Sequence, residues 1–174
     1  VEIFGAPSPA ADAEVISLAD TFLKRFGIHE VVAHINSIGC PNCRPKYNDM
    51  LKGYLNEHKD CVCEDCLNRL DRNPMRILDC KQESCKKVAA DAPIALDYLC
   101  DDCREHFEKV KTYLDDMGIA YEIDTNIVRG LDYYTKTVFE FVSTNIGAQG
   151  TICGGGRYDG LISQLGGQAT PGMC

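Results

Sequence analysis

VRGLDYYTKTVFEF, at residues 128–141, and GGGRYDGLISQLGG, at residues 154–167, are the two stretches of sequence that decide the predicted fold. Val138, Glu140 and Val142 alternate with Phe139 and Phe141, and this period of two is typical of a strand whose two faces differ. Three glycines open the second stretch, which predicts a glycine loop that leads into a short helix. Both stretches therefore predict parts of a sheet.

The sequence before and between these stretches predicts further helices and strands. A strand is predicted at residues 1–5, followed by a helix that Asp12 caps and Gly27 ends, and then by a strand at residues 31–39. Further helices are predicted at about 45–58 and 95–117, and further strands at 119–123 and 148–153.

These elements predict an α/β fold of the α+β type, in which an antiparallel sheet is flanked by helices. Both ends of the chain contribute to the sheet, so residues 1–39 and 118–174 are expected to form one core in two parts. Cysteines and prolines are concentrated between them, and the elements there are short. Residues 40–117 are therefore expected to form a small, mainly helical, cysteine-rich insertion.

Composition and charge narrow the class of protein. The chain has 174 residues, 45% hydrophobic and 25% charged, which argues against a disordered or fibrous protein. Its net charge of −8 argues against a surface that is basic throughout, and only residues 40–90 carry a small excess of basic side chains. Because no apolar run approaches the roughly 18 residues of a membrane helix, we expect a cytoplasmic protein without membrane contact.

Eleven cysteines are many for a sequence without an export signal, which favours metal ligands over disulfides. Three pairs have the spacing Cys-x-x-Cys, and a fourth pair is looser. Four pairs would fill two tetrahedral Cys₄ zinc sites. The candidate ligands are Cys40, Cys43, Cys63, Cys66, Cys80, Cys85, Cys100 and Cys103. Alternatively, the cysteines are small buried hydrophobic residues, or they serve a thioredoxin-like redox function, for which three such pairs are more than needed.

The stretches at residues 128–141 and 154–167 also carry candidate ligand-binding residues. Arg129 can bind a carboxylate or phosphate through two hydrogen bonds, and a hydroxyl of Tyr133 or Tyr134 can bond a ring nitrogen. Alternatively, Arg129 pairs with Asp132 in a turn. The three glycines let the backbone approach a ligand closely, although they match neither the phosphate-binding loop nor the dinucleotide fingerprint and alone predict only a strand-to-helix turn.

Taken together, the two stretches resemble the two signature sequences of histidyl-tRNA synthetases. Residues 1–19, INSIG at 35–39 and NPMRILDCK at 73–81 are also similar to that family. The resemblance implies a class II synthetase core with an inserted domain that approaches the tRNA acceptor stem. It further implies a homodimeric aminoacyl-tRNA ligase, which activates histidine with ATP and Mg²⁺ and transfers it to histidine tRNA. Zinc-binding cysteines occur in only some members of the family.

The resemblance also implies roles for individual residues. Glu2 corresponds to the acidic residue that faces the substrate imidazole, and Tyr133 and Tyr134 correspond to tyrosines of the histidine pocket, with Tyr134 as the partner of a ring nitrogen. Arg129 corresponds to the catalytic arginine that bridges the histidine carboxylate and the ATP α-phosphate. Tyr158 is expected to help close the pocket.

Several parts of the family pattern are absent from these 174 residues: the first motif, the arginines of the second and third motifs, and the anticodon-binding domain. We therefore expect an internal fragment that holds about half of an active site and is inactive alone. One alternative is the histidine-sensing regulatory subunit of ATP phosphoribosyltransferase, but the intact VRGLDYYT and the large insertion favour the synthetase. Another is a zinc-stabilised RNA-binding module, which leaves the residues outside 40–117 unexplained.

Overall fold

The computed structural model describes residues 1–143 and 150–174. The strands are β1 (Ile3–Phe4), β2 (Val31–Ser37), β3 (Tyr121–Ile123), β4 (Thr135–Ser143), β5 (Thr151–Arg157) and β6 (Gly172–Met173). The helices are α1 (Pro9–Arg25), α2 (Arg44–Glu57), α3 (Glu64–Arg69), α4 (Glu83–Ala90), α5 (Asp101–Asp116) and α6 (Leu161–Gln164). Three short 3₁₀ helices, Lys59–Cys61, Pro74–Ile77 and Ala95–Tyr98, lie between them. No helix in the described part of the chain is long and apolar enough to cross a membrane.

The strands form one six-stranded sheet in the order β1-β6-β5-β4-β2-β3. The long strand β4 lies inside it, antiparallel to β2 with Val31 opposite Ser143 and antiparallel to β5 with Phe141 opposite Cys153. The predicted α+β fold with a mainly antiparallel sheet is confirmed. The edge pair of β2 and β3 is parallel, which the sequence analysis did not predict.

Two helices bury one face of this sheet. Helix α5 directs Phe107, Val110 and Leu114 into the same hydrophobic cluster as Ile16 of α1 and Phe139 of β4. These apolar residues recur at the three-to-four spacing of a helix, so each helix has a continuous face to bury against the strands. The helix that leaves the insertion is therefore anchored on the core.

The insertion has a hydrophobic cluster that continues into the core. Tyr47 and Leu51 of α2 and Ile77 of the second 3₁₀ helix pack with Val128 and Tyr134. The cysteine-rich region is thus joined to the start of β4 by apolar packing.

Two predicted helix features are wrong. Ser8, not Asp12, caps α1: its Oγ accepts a hydrogen bond from the amide of Ala10 at 3.2 Å, and Pro9 follows as the first helical residue. Asp12 is fully buried and binds other partners. The single helix predicted at 95–117 is broken, because Cys100 adopts an extended conformation and caps α5.

The three glycines form part of a strand instead of the predicted loop. Gly154, Gly155 and Gly156 lie in β5. A Cβ at Gly155 would collide with the carbonyl of Cys174, and one at Gly156 would lie 2.8 Å from the ring of Tyr134. Glycine is required here because β5 is approached closely by its neighbours. The strand predicted at 148–153 begins at Thr151, and residues 148 and 149 lie outside the described residues.

Candidate active site and cysteine clusters

The predicted histidine-pocket residues lie together at one end of the sheet. The ring centroid of Tyr133 is 4.7 Å from that of Tyr134 and 6.1 Å from that of Tyr158. The hydroxyl of Tyr158 donates a hydrogen bond to the Glu2 carboxylate at 2.9 Å. The strand pairings bring them together, because β6 pairs with both β5 and β1 and so brings the N-terminal residues next to Tyr158. Residues from three distant parts of the sequence therefore surround one pocket.

The two buried tyrosines of this group are held as neutral hydroxyls. Burial raises the pKa of Tyr158, and its hydrogen bond to Glu2 raises it further. Burial also raises the pKa of Tyr134, whose hydroxyl lies 3.5 Å from the Sγ of Cys174. A protonated phenol can donate one hydrogen bond and accept others. It can therefore pair with an imidazole nitrogen whether or not that nitrogen carries a proton. Cys174 had no assigned role in the sequence analysis, and nothing in its local sequence indicates one.

Arg129 does not pair with Asp132, so that alternative is wrong. Its Nη1 donates to the Glu140 carboxylate at 2.6 Å, and the other oxygen of that carboxylate accepts from the Thr151 hydroxyl at 2.7 Å. Asp132 instead accepts a hydrogen bond from the side-chain amide of Asn73. Glu140 is the lone acidic residue in the run TVFEF, residues 137–141, and this placement is the sequence signal that could have singled it out as a partner for Arg129.

The Arg129 guanidinium borders both the tyrosines and an open cleft. Its Cζ lies 6.0 Å from the centre of the Tyr134 ring, which places the cation over an aromatic face. Its Nε is buried and has no hydrogen-bond partner among the described residues. The cleft, of about 140 Å³, is also lined by Arg44, Arg72 and Asn73 from the insertion and by one acidic residue, Asp132. Cationic side chains thus converge where the insertion meets the core, a position suited to a carboxylate or phosphate.

A buried ionic network supports the strand that carries Tyr158. Nε of Arg157 donates to Oδ1 of Asp12 at 2.9 Å, and its Nη1 donates to Asp159 at 3.0 Å. Oδ2 of Asp12 lies 2.7 Å from Nε2 of His106. Burial raises the pKa of Asp12, but His106 and Arg157 outweigh burial and lower it below its ordinary value. The sequence analysis missed this network, because its members come from three distant elements.

The eight candidate zinc ligands form two clusters. In each, the four sulfur atoms lie within 4.8 Å of one another. Cys40, Cys43, Cys100 and Cys103 form the base cluster, at the junction of insertion and core. Cys63, Cys66, Cys80 and Cys85 form the inner cluster, inside the insertion. The sequence predicted two groups of four and left open which pairs combine.

The base cluster has dimensions that fit a tetrahedral zinc ion. The Sγ–Sγ distances are 3.8 Å for Cys40–Cys43, Cys40–Cys100 and Cys43–Cys103. Four sulfurs bound at about 2.3 Å to one Zn²⁺ are about 3.8 Å apart in a tetrahedron. Although burial opposes it, hydrogen bonds from the backbone amides of Asn42 and Cys43 lower the pKa of Cys40 to about 7. Amide donors of this kind stabilise the thiolate form that binds metal.

The inner cluster also fits a zinc ion bound by four thiolates. The Sγ atoms of Cys63 and Cys80 are 3.9 Å apart, and the amide of Cys63 donates to the Sγ of Cys85 at 3.2 Å. Cys63 and Cys66 lie at the start of α3, where the helix dipole favours negative charge. Cys61 and Cys153 are exposed and belong to neither cluster.

Comparison with known proteins decides the family. The family model for histidyl-tRNA synthetase matches residues 1–173. The chain belongs to the histidyl-tRNA synthetase family. A histidine–tRNA ligase from Caldanaerobacter subterraneus subsp. tengcongensis is 61% identical over 173 residues, which are 99% of this chain and 42% of that relative. The chain thus spans about two fifths of the length of such relatives.

Solved structures agree with membership of the histidyl-tRNA synthetase family. The crystal structure of apo Staphylococcus aureus histidyl-tRNA synthetase superimposes with a TM-score of 0.76 at 38% identity, covering 99% of this chain and 42% of that one. A Bacillus halodurans protein described as an ATP phosphoribosyltransferase regulatory subunit/histidyl-tRNA synthetase gives a TM-score of 0.53 at 22% identity, covering 99% of this chain and 48% of that one. The second similarity shows the shared fold alone.

Proposed function

We propose that this chain is the catalytic-core part of a histidine–tRNA ligase. In the first step, a carboxylate oxygen of histidine attacks the α-phosphorus of ATP, the new P–O bond forms, and pyrophosphate leaves. In the second step, the histidyl group passes from the adenylate to a hydroxyl at the 3′ end of histidine tRNA, and AMP leaves. The observation that carries the proposal is the position of Arg129, which lies over Tyr134 and beside the cationic cleft.

The side chain of histidine is proposed to bind among Glu2, Tyr133, Tyr134 and Tyr158. Glu2 is fixed by the hydroxyl of Tyr158 at 2.9 Å, and its second oxygen can accept from an imidazole N–H. The hydroxyl of Tyr134 can bond the other ring nitrogen. A pocket that satisfies both nitrogens rejects other amino acids strongly, because they would leave its buried polar groups unpaired.

Arg129 is proposed as the catalytic residue. Glu140 holds one end of its guanidinium at 2.6 Å, while the buried Nε retains an unused donor. A cation fixed in this way can bridge the histidine carboxylate and the α-phosphate, and it stabilises the negative charge that develops during phosphoryl transfer. ATP is expected to bring Mg²⁺, whose charge balances the remaining phosphates.

The insertion and the oligomeric state are also part of the proposal. We divide the chain into core residues 1–39 and 118–174 and an insertion of residues 40–117, with histidine tRNA approaching along the insertion. The arginines of the cleft support this, because they offer charge to a nucleic-acid backbone next to Arg129. We further propose a homodimer that acts in the cytoplasm, as inferred from family membership.

The two cysteine clusters are proposed to hold one structural Zn²⁺ each. Four thiolates leave no open coordination position for a substrate, so the metal is not a catalyst here. Its contribution is folding free energy, which the region of residues 59–93 needs because its helices are only three to eight residues long.

The alternative functions have less support. A regulatory subunit needs histidine binding alone, which does not explain the unused donor of Arg129 beside a cationic cleft. An RNA-binding module explains the insertion but not the buried tyrosines of the sheet.

Histidine-dependent exchange between ATP and pyrophosphate tests the proposal in the natural-length protein. Exchange is expected, and Arg129→Ala should lower kcat by about 10²–10³-fold, the effect of losing one positioned donor, while the histidine KM changes much less. Arg25→Ala, a change at an exposed arginine of α1, is the matched control and should leave kcat unchanged. Histidine binding without any exchange would instead support the regulatory subunit.

A further inference from the structure

We infer that the two zinc ions have different roles: the base cluster positions the histidine-binding tyrosine Tyr134, and the inner cluster only folds the insertion. The inference rests on the proposed histidine pocket.

The base cluster joins the two ends of the insertion to the core. Cys40 and Cys43 follow β2, which pairs along its whole length with β4. Cys100 caps α5, which is buried against the sheet. The Sγ atoms of Cys40 and Cys100 are 3.8 Å apart although sixty residues separate them. A metal bound there therefore fixes α5 relative to the end of β2.

Direct hydrogen bonds connect the base cluster to the strand that follows Tyr134. The guanidinium of Arg44, the residue after Cys43, donates to the carbonyl of Tyr134 at 2.6 Å and to that of Gly39 at 3.0 Å. The amide of Lys136 donates to the same Gly39 carbonyl at 2.8 Å. Gly39 has φ +69°, and a Cβ there would lie 2.8 Å from the Sγ of Cys43. The Gly39 carbonyl and the Arg44 side chain, on either side of the Cys40–Cys43 pair, are thus bonded to residues 134–136.

The charged side chains around the base cluster also connect it to β4. A Zn²⁺ ion with four thiolates carries a formal charge of −2, and the cations of Arg44 and Lys136 interact with the thiols of the base cluster. Lys136 also pairs with Asp102 of α5 at 2.9 Å. Its backbone has φ +53°, a conformation that a non-glycine residue keeps only when its surroundings enforce it. Loss of the metal would weaken the ionic interactions that fix the irregular start of β4.

The inner cluster has a weaker polar connection to the core: in the segment between its ligands, the side-chain amide of Asn73 donates to Asp132 at an exposed position. The hydrogen bonds to its sulfur atoms come from within residues 63–85. Cys66 and Cys85 lie in the same hydrophobic cluster as Tyr134, and among the described residues the segment 63–85 reaches Tyr134 through side-chain packing such as that of Met75 and Ile77, not through a hydrogen bond to its backbone. Removing this metal is expected to loosen short helices without moving the backbone of β4.

Matched double variants of the natural-length protein test the inference. Cys100→Ser with Cys103→Ser removes two ligands of the base cluster, and Cys63→Ser with Cys66→Ser removes two of the inner cluster. Elemental analysis should give two zinc ions per wild-type chain and one per variant chain. The base variant should raise the histidine KM in the exchange assay by about tenfold, a typical effect of losing outer-shell support. The inner variant should keep that KM, but it should lose protease protection within residues 59–93 and charge tRNA more slowly.

Arg44→Lys provides a variant that keeps all eight ligands. It should retain two zinc ions and raise the histidine KM by about as much as the base variant, because a single ammonium cannot replace both Nη2, which bonds the carbonyls of Tyr134 and Gly39, and Nε, which bonds that of Ile38. Substitution with Co²⁺ should give the intense sulfur-to-metal absorption of tetrathiolate sites at both clusters in the wild type.

Three results would overturn the inference: fewer than two zinc ions in the wild type, equal changes of histidine KM in the base and inner variants, or an unchanged KM in Arg44→Lys. If the wild type holds two zinc ions but shows no exchange, the proposed ligase function fails, and so does the inferred positioning role of the base cluster. The zinc content then stands as a separate result.

Discussion

Nε2 of His106 lies 2.7 Å from Oδ2 of Asp12, and this contact ties the last helix of the insertion to the first helix of the core. The other oxygen of the same carboxylate binds Arg157, which precedes Tyr158 in the chain. Asp12 and Arg157 are fully buried. One carboxylate therefore joins α1, α5 and β5, the strand that ends directly before Tyr158 of the proposed histidine pocket.

Loss of the Asp12 charge should destabilise the fold. Asp12→Asn leaves the Arg157 cation buried without its main partner, and breaking a buried pair in this way costs about 3–5 kcal/mol. Urea unfolding at pH 7 measures the effect. Asp20→Asn, on the same helix, is the control: its partner Lys24 is half exposed, so the change should cost less than about 1 kcal/mol. Equal costs for the two variants would mean that the buried network does not stabilise the fold.

The same carboxylate should make stability depend on acid pH. His106 and Arg157 lower the pKa of Asp12 in the folded state below 3.8, the ordinary value that the unfolded chain retains. The stabilisation is thus fully present above the unfolded value and is lost as the pH falls through the folded one. The melting temperature should decrease below about pH 5, and Asp12→Asn should make that decrease shallower. A parallel decrease in both proteins would assign the acid sensitivity to other carboxylates.

Glu2 should determine the affinity for histidine without affecting ATP. Glu2→Gln keeps an oxygen that can accept from Tyr158 but removes the charge that faces the imidazole. The histidine KM in the exchange assay should rise by about 10–100-fold, the loss of a charge-assisted hydrogen bond of roughly 1.5–3 kcal/mol. The ATP KM should stay the same. Glu14→Gln, at an exposed position of α1, is the control. Equal increases in both KM values would give Glu2 a structural role.

Removal of metal should loosen the insertion before the sheet. A strong chelator is expected to expose residues 63–103 to protease, because four coordinated thiolates contribute roughly 10 kcal/mol to folding around each ion. The strands should remain protected, since the apolar cluster on their face covered by α1 and α5 contains none of the eight ligands. Mass spectrometry of the cleavage products locates the cuts. Protein that contains no zinc when purified without chelator, with every cysteine titratable under native conditions, would contradict the expectation.

The sequence by itself determined the features that depend on local spacing. The alternation around Phe139 is enough to predict β4, and the interval between Cys63 and Cys66 is enough to predict a metal ligand pair, because strand period and ligand reach are both set within a few residues. The amino-acid sequences of residues 128–141 and 154–167 were distinctive enough to indicate the family.

Only the tertiary structure decided which distant groups meet. It paired Arg129 with Glu140 rather than Asp132, joined Cys40 with Cys100, and turned Asp12 from a predicted cap into a buried partner of Arg157. It also placed three glycines in a strand, because the carbonyl of Cys174 and the ring of Tyr134 leave no room for a Cβ. Such contacts depend on how helices and strands stack across the sheet, and the spacing of residues along the chain carries no record of that stacking.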